Sequence, residues 1–199
     1  MIPILPTSYF GSIAYFKKLA KHPSVLIEAK EHFPKQTYRN RCDILGGDGI
    51  LSLSIPTKKP YGSKTATEEI ILPDEENWRI RHWRAITSAY QSAAYFDYYG
   101  MEVEELLLSE EENLLKFNTA ITERILKWLY IDTEIEMTNN FKPMIENDLR
   151  ISLVHKDAFQ EKQIAPYIQV FPGKDSFQES ISMLDAIFCE GPMARKLIV

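Results

Sequence analysis

The chain of 199 residues has only two cysteines, Cys42 and Cys189, which lie far apart in the sequence. Neither belongs to a Cys-x-x-Cys pair, and no group of cysteines and histidines has the spacing of metal ligands, so a metal site is not expected. Two isolated cysteines in a chain of this length are typical of reduced thiols in a cytoplasmic protein.

Long apolar segments are also missing. No run approaches the roughly 20 apolar residues that a membrane-spanning helix needs. Residues 1–6 lack both the basic stretch and the apolar core of a secretory signal peptide. Together these features predict a soluble protein of the cytoplasm without a membrane span.

Familiar catalytic and nucleotide-binding signatures are absent. The sequence has neither a Gly-x-Ser-x-Gly elbow nor the glycine fingerprint of a dinucleotide-binding fold. The glycines at residues 46–49 are followed by neither a Lys-Ser/Thr pair nor a helix, so they indicate a hairpin turn rather than a phosphate-binding loop. A net charge of −5 gives no general attraction to nucleic acid, and no motif indicates a cofactor or an oligomeric state.

The composition, with 45% hydrophobic residues, is enough to fill one core. Strand-like and helix-like runs alternate along the chain, which predicts an α/β fold, a single domain with a mixed β-sheet, one hairpin and flanking helices. The predicted strands cover residues 2–5, 25–29, 44–45, 50–55, 68–72, 131–137 and 167–171. The predicted helices cover residues 13–20, 74–91 (capped by Asp74), 95–108 and 114–129, and Ser176-x-x-Glu179 predicts the start of a last helix.

Two short segments concentrate side chains with directed hydrogen-bonding groups. Residues 38–42 read Tyr-Arg-Asn-Arg-Cys, and residues 78–83 contain two tryptophans and a histidine, so we expect both to line a polar binding site. If residues 38–41 form a strand, Arg39 and Arg41 point to one side and their neighbours to the other. Arginines in such a setting bind carboxylate or phosphate groups, and surface ion pairs are the alternative.

His82 lies on a helical stripe with Trp78, Ile86 and Tyr90, each four residues from the next. One interpretation is a core histidine that is satisfied by a hydrogen bond. The other is a general base whose pKa is tuned by partial burial, with Trp78 as a wall for the substrate.

Two further residues are candidates for chemistry. Cys42 would be a nucleophile if His82 served as its base, although a buried cysteine is usually inert. Glu28 follows the second predicted strand, and strand ends in α/β proteins commonly carry ligand sites. We expect Glu28 to project from the strand end toward a cleft.

Five stretches, taken in order, resemble the WbqC-like protein family over nearly the whole chain. They are the opening at residues 5–16, which resembles Gln-Pro-x-Tyr-Phe-Pro…Gly-Tyr-Phe, the Tyr-Arg-Asn-Arg block at 38–41, the strand that ends in Ile-Pro at 51–56, the aromatic-histidine pattern at 78–99, and the closing segment at 182–192. The chain departs from the pattern at Leu5, where the family usually has Gln, and at Gly11-Ser12. Glu28 stands near where many members carry Asp.

The resemblance implies a single WbqC-like domain at residues 1–199 and a role in surface-polysaccharide (O-antigen) biosynthesis, with glycine transfer as a suggested activity. It supplies no established catalytic residues. We therefore predict from chemistry an aminoacyl or acyl transferase that acts on a sugar or nucleotide sugar, and the alternative is a non-catalytic protein that binds such ligands or acts as a scaffold. The assigned residues are His82 as base, Glu28 to orient His82 or a sugar hydroxyl, Arg39 and Arg41 for an anion, and Tyr38 and Asn40 for the acceptor. Trp78 is a further substrate-binding residue.

Overall fold

The computed structural model describes residues 2–34, 37–74, 77–141, 143, 148–150, 164–171 and 177–199. These residues form strands and helices in alternation, which confirms the predicted α/β class. The strands are β1 (Ile4–Leu5), β2 (Ser24–Ile27), β3 (Arg41–Gly46), β4 (Gly49–Ser54) and β5 (Glu134–Met137). The α-helices are α1 (Ile13–Ala20), α2 (Trp78–Tyr90), α3 (Phe96–Leu107), α4 (Leu114–Trp128) and α5 (Met183–Glu190).

Three strands form a parallel sheet in the order β1-β2-β5. Parallel neighbours need a crossover, and α1 provides it between β1 and β2. Ser12 caps α1 by accepting a hydrogen bond from the backbone N–H of Tyr15, as the sequence predicts. Because the three strands run in one direction, Leu5, Ile27 and Met137 end them at a shared carboxyl edge, where α/β proteins commonly bind ligands.

The predicted hairpin is confirmed. β3 pairs with β4 in antiparallel register, and Gly46 lies opposite Gly49 at the turn. Gly49 has a φ of +110°, a conformation that side chains other than glycine rarely adopt. In the described residues the hairpin forms a sheet of its own, so the mixed character comes from two sheets rather than from one continuous sheet.

The predicted strand at residues 68–72 is wrong. The chain forms a 3-10 turn at Thr67–Glu69, in which the Glu69 carboxylate accepts a hydrogen bond from the backbone N–H of Ala66 at 2.9 Å. Beyond the turn, Ile70 and Leu72 exchange backbone hydrogen bonds with residues 112–114 just before α4. The alternating apolar residues are therefore buried without belonging to a strand ladder.

The predicted cap at Asp74 is also wrong, because α2 begins at Trp78 after Asn77, which has a left-handed φ of +50°. The indole N–H of Trp78 donates to the Pro73 carbonyl at 2.9 Å and so ties Pro73 to the first residue of the helix.

No strand is present at residues 167–171, contrary to prediction. The side-chain amide of Gln169 donates to the Gln178 carbonyl and accepts from the Gln178 N–H. These side-chain hydrogen bonds take the place of the backbone bonds that a strand would make. Ser176 lies outside the described residues. The last α-helix starts at Met183, where Ser182 accepts from the backbone N–H of Leu184.

Buried apolar side chains from Leu5 to Ile198 form one cluster. The cluster combines α1, the inner face of the hairpin, α2, α4 and α5 around the parallel sheet. Within the part of the chain described above, no helix is both long enough and apolar enough to cross a bilayer.

Gly191 ends α5 ahead of Pro192, as predicted, and generates a testable stability difference. Its φ is +57°, and an added Cβ would lie 2.5–2.8 Å from ring atoms of Tyr95. Gly191→Ala is therefore expected to lower the free energy of unfolding by about 2–4 kcal/mol, from backbone strain and overpacking together.

Gly62→Ala is the control for an added Cβ at positive φ in open space, because Gly62 has a φ of +59° with nothing within 4 Å of the new Cβ. This substitution is expected to lower the free energy of unfolding by only about 1 kcal/mol. Urea denaturation of both variants checks the comparison, and equal losses would show that the contact with Tyr95 has no energetic weight.

Candidate functional site

The candidate site lies at the carboxyl edge of the parallel sheet. The loops that follow β1 and β2 meet there with a turn at residues 37–40. The backbone N–H of Tyr9 donates to the Tyr38 carbonyl at 3.0 Å, which fixes the first loop against the turn. The backbone N–H of Ile55 donates to the Asn40 carbonyl at 2.8 Å, which ties the turn to the end of the hairpin.

Residues 38–41 are therefore not a strand, which corrects the conditional prediction that Arg39 and Arg41 share a face. Only Arg41 enters β3. Residues 37–40 turn because the Asn40 N–H donates back to the Thr37 carbonyl at 3.4 Å. Arg39 is consequently buried inside the turn, whereas the side chain of Arg41 is 41% exposed on the hairpin.

Arg39 is a buried cation whose hydrogen-bonding capacity is only partly used. It is 2% exposed, and its Nε donates to Glu31 Oε1 at 2.7 Å. Its Nη1 atom has no hydrogen-bond partner in the part of the chain that the structure describes. The hydroxyl of Thr37 and the side-chain carbonyl of Asn118 are likewise buried without a partner there.

Asn118 connects these groups. Its side-chain amide donates to the Arg39 carbonyl at 2.7 Å and to the Thr7 hydroxyl at 3.1 Å. The loop after β1, the turn and α4 thus meet at one buried amide, which leaves a set of unused donors and acceptors around Arg39.

Tyr38, Asn40 and Arg41 have partners on the hairpin side. The Tyr38 hydroxyl donates to Asp43 at 2.8 Å, and burial together with this bond raises the pKa of the phenol. Asn40 donates to the Ile55 carbonyl at 2.8 Å. Arg41 donates to Asp43 at 3.3 Å and to the Ser52 hydroxyl at 2.8 Å.

Glu28 follows β2, where the sequence places it, but the carboxylate is fully buried and well satisfied. One oxygen accepts from Arg150 at 2.6 Å, and the other accepts from the Thr138 hydroxyl at 2.7 Å and the Lys30 N–H at 2.8 Å. Arg150 also binds Asp148. The structure does not bring Glu28 into hydrogen-bond contact with His82.

His82 connects α2 to the other walls of the site. Its Nδ1 is 2.8 Å from the Tyr9 hydroxyl, and the ring also hydrogen-bonds the backbone of Ser54. A neutral imidazole has one donor and one acceptor, so these two bonds use its capacity. Burial first, and then the charge of Arg81, lower the pKa of His82 to about 4. The ring is therefore neutral at pH 7.

Trp78 and Cys42 are both buried. Trp78 is fully covered and contacts His82 edge-on with ring centroids 5.3 Å apart. Cys42 lies on β3 opposite Leu53, and burial and the nearby Asp43 raise the pKa of its thiol well above the usual value. An attacking thiolate needs the opposite shift, and no hydrogen bond joins Cys42 to His82.

Sequence reasoning missed Asn118, Thr37 and Glu31. Asn118 had a readable signal, since it lies on the apolar stripe of α4 four residues after Leu114. A polar residue in a buried stripe needs a hydrogen-bond partner and is therefore informative. Thr37 and Glu31 had no such signal, because only the folded loops bring them beside Arg39.

A separate cavity of about 840 Å³ lies at the opposite, amino edge of the parallel sheet, beside Pro23 and Glu134. It is remote from Arg39 and His82. Across the residues with described positions, no group of three or more histidine, cysteine, aspartate or glutamate side chains could hold a metal ion.

One comparison with known proteins identifies a family. The profile of the WbqC-like protein family matches residues 7–158, a range that includes Arg39, His82 and Asn118. The uncharacterized protein Rv1507c of Mycobacterium tuberculosis (strain ATCC 25618 / H37Rv) is 24% identical over 135 residues. That match covers 67% of this chain but only 58% of the relative, so the chain spans less than two thirds of that protein. No solved structure matches the chain.

The lowered pKa of His82 predicts a pH dependence of stability. The folded state keeps the ring neutral down to pH about 4, whereas an unfolded chain protonates it below about pH 6.5. Above pH 6.5 the neutral His82 ring does not oppose folding. As the pH falls from 6.5 toward 4, the free energy of unfolding decreases by about 3 kcal/mol, because only the unfolded chain protonates the ring. His82→Gln is expected to remove that part of the slope in urea denaturation between pH 4 and 7.5.

The exposed His32 is the matched control. His32→Gln, a substitution of a histidine at an exposed position, is measured in the same series. A His82→Gln slope equal to that of the wild type would contradict burial of a neutral ring.

Proposed function

The chain belongs to the WbqC-like protein family, and from this premise we propose that it acts in surface-polysaccharide (O-antigen) biosynthesis by transferring an aminoacyl (glycine) or acyl group to a sugar. The pathway and the reaction are those that the family resemblance implies. The contribution of the structure to the proposal is a candidate binding group, Arg39, with the polar atoms around it.

The observation that carries the proposal is the incomplete pairing of Arg39. Two arginines are buried at the carboxyl edge, and they differ. Arg150 binds Glu28 with Nη1 and Asp148 with Nε and Nη2. Arg39 binds Glu31 through Nε and has an Nη1 without a described partner. A buried unsatisfied donor costs about 1–3 kcal/mol, which a ligand can recover.

The unused atoms define the chemistry of that ligand. Arg39 Nη1 and the Thr37 hydroxyl can donate, which suits a carboxylate or phosphate oxygen. The Asn118 side-chain carbonyl can accept, which suits an ammonium or a hydroxyl on the same ligand. A carboxylate next to an amine belongs to an amino acid, and a phosphate next to hydroxyls belongs to a nucleotide sugar.

Access to these atoms requires a movement, because Arg39 and Thr37 are each 2% exposed. The loop after β1 contacts the turn at residues 37–40 through the Tyr9 N–H, which donates to the Tyr38 carbonyl at 3.0 Å, and through a longer contact of 3.5 Å from the Ser8 hydroxyl to the same carbonyl. We propose that a local opening between this loop and the turn, which breaks the bond from Tyr9 to the Tyr38 carbonyl, admits the ligand.

The catalytic assignments remain predictions. His82 as general base requires release of its bond to Tyr9 or to Ser54 before it can take a proton from an acceptor. Glu28 as orienting acid acts through Thr138 or Arg150. Tyr38, Asn40, Arg41 and Trp78 stay candidate binding residues, and Cys42 stays a candidate nucleophile.

A second candidate function is a non-catalytic protein that binds a nucleotide sugar or glycan. One observation favours it: the described residues include no activated nucleophile at the carboxyl edge. Cys42 has a raised pKa, and His82 already has two hydrogen-bond partners. The same Arg39 cluster would then recognise the ligand without a reaction.

Ligand binding at Arg39 is testable by calorimetry with nucleotide sugars, free amino acids and coenzyme A thioesters. Arg39→Gln is expected to lower the affinity for an anionic ligand about 10- to 100-fold, because one charge-assisted hydrogen bond is lost. Glu31→Gln keeps Arg39 and removes the carboxylate that competes with the ligand for its guanidinium. The affinity for the anionic ligand is therefore expected to stay the same or to rise.

Two controls separate binding from folding. Arg39→Gln leaves Glu31 unpaired and destabilises the fold, so Arg39→Gln with Glu31→Gln is measured beside it. Arg84 is exposed on α2, and Arg84→Gln is expected to bind as the wild type does. Equal affinity in Arg39→Gln and Arg84→Gln would remove Arg39 from the site.

Turnover separates the two candidate functions. With a ligand that binds, the transferase proposal expects aminoacyl or acyl transfer to a sugar by the wild type and none by His82→Gln. Transfer by both proteins would eliminate His82 as base, and binding without transfer by the wild type would favour the non-catalytic alternative.

A further inference from the structure

The cavity at the amino edge of the parallel sheet is a second candidate binding site. Its volume of about 840 Å³ is within the range of small-molecule sites. It adjoins Pro23 and Glu134 at the beginning of β2 and β5, so the length of the strands separates it from Arg39. We propose that this cavity binds an organic cation through an alkylammonium group, independently of any ligand at Arg39.

Aromatic side chains form part of its walls. Tyr99 and Trp128 line it with ring centroids 5.0 Å apart and an angle of 56° between the rings. The two rings pack against each other, and Trp128 is only 8% exposed, so the pair forms one wall of the cavity. The third aromatic residue, Tyr130, is 70% exposed at the same cavity. Aromatic faces attract cations because they are electron-rich.

The charged residues of the walls favour a cation as well. Glu123, Asp132 and Glu134 contribute three carboxylates, and Lys127 contributes one ammonium group. All four side chains are exposed, so their attraction for a cation is screened by salt but adds to that of the rings. An anionic ligand is disfavoured by the same excess of negative charge.

The backbone of Tyr130 gives a separate reason to assign a role to its ring. Tyr130 follows the end of α4 with a φ of +54°, at the position where glycine is usual. The N–H groups of Tyr130 and Ile131 donate to the carbonyls of Lys127 and Leu126, the paired bonds of that helix ending. A tyrosine there is strained and mostly exposed, so the helix ending does not explain its presence.

The loop that carries these side chains is held in place on both sides. Arg195 donates to the Tyr130 carbonyl at 2.7 Å. The Thr133 hydroxyl is within hydrogen-bond distance of the Leu19 and His22 carbonyls, at 3.1 and 3.0 Å. The cavity wall is therefore preorganised, which lowers the entropy cost of binding.

Choline and its neutral isostere 3,3-dimethylbutan-1-ol test the charge requirement, since they differ in shape very little. Calorimetry at low salt is expected to show choline binding at least about fivefold tighter, with the difference shrinking as salt is added. Backbone amide shifts in NMR are expected to map choline to residues 130–134. Equal binding of the two compounds, no choline binding, or shifts confined to other residues would overturn the proposal.

Tyr130→Gly distinguishes a role of the Tyr130 ring in binding from a role in the stability of the fold. It is expected to weaken choline binding at least about fivefold while Tm stays the same or rises, because glycine suits the left-handed φ. Tyr61 is 66% exposed outside the cavity, and Tyr61→Ala is expected to bind choline as the wild type does. Unchanged choline affinity in Tyr130→Gly would overturn the proposal.

Asp132→Asn provides a second variant that keeps the aromatic walls. It is expected to weaken choline binding and to leave binding of the neutral isostere unchanged. Equal effects on the two compounds would contradict recognition of the ligand's charge by the cavity and would overturn the proposal.

Discussion

The two buried ion pairs formed by the loop after β2 are the constraint on which the carboxyl edge depends. Glu28 binds Arg150, and Glu31 binds Arg39, with three of the four residues 5% exposed or less. Burying such charges is costly unless they are paired, so each carboxylate dictates where its arginine lies. The short loop therefore fixes the nearby turn that carries Arg39, and the distant Arg150, against the end of the sheet.

The two pairs are not equivalent, and the difference is the basis of the functional proposal. Arg150 is held by two carboxylates and its ring neighbour Phe141, whose centroid is 5.1 Å from the guanidinium carbon. Such an arrangement is typical of a structural cation. Arg39 has one carboxylate and an Nη1 without a described partner, and the Asn118 side chain that donates to its carbonyl also has a buried oxygen without one. Proteins retain such local costs mainly where function requires them.

Local signals in the sequence were sufficient for the elements whose structure is locally determined. α1 has its cap and apolar face within nine residues, and the hairpin has its glycine turn between apolar runs. The strand predicted at residues 68–72 failed because Ile70 and Leu72 satisfy their backbone through residues near α4, which no local pattern reveals. The burial of Arg39 was missed for the same reason, since its partners Glu31 and Asn118 approach only in the folded chain.

Side-chain NMR of ¹⁵N-labelled arginines tests the central claim most directly. The Arg39 guanidinium signals, assigned with Arg39→Gln, would be followed during titration with a nucleotide sugar and with free amino acids. The account predicts that at least one ligand shifts the Arg39 signals while those of Arg150 stay in place. A ligand that binds without moving Arg39, or that moves Arg150 instead, would contradict it.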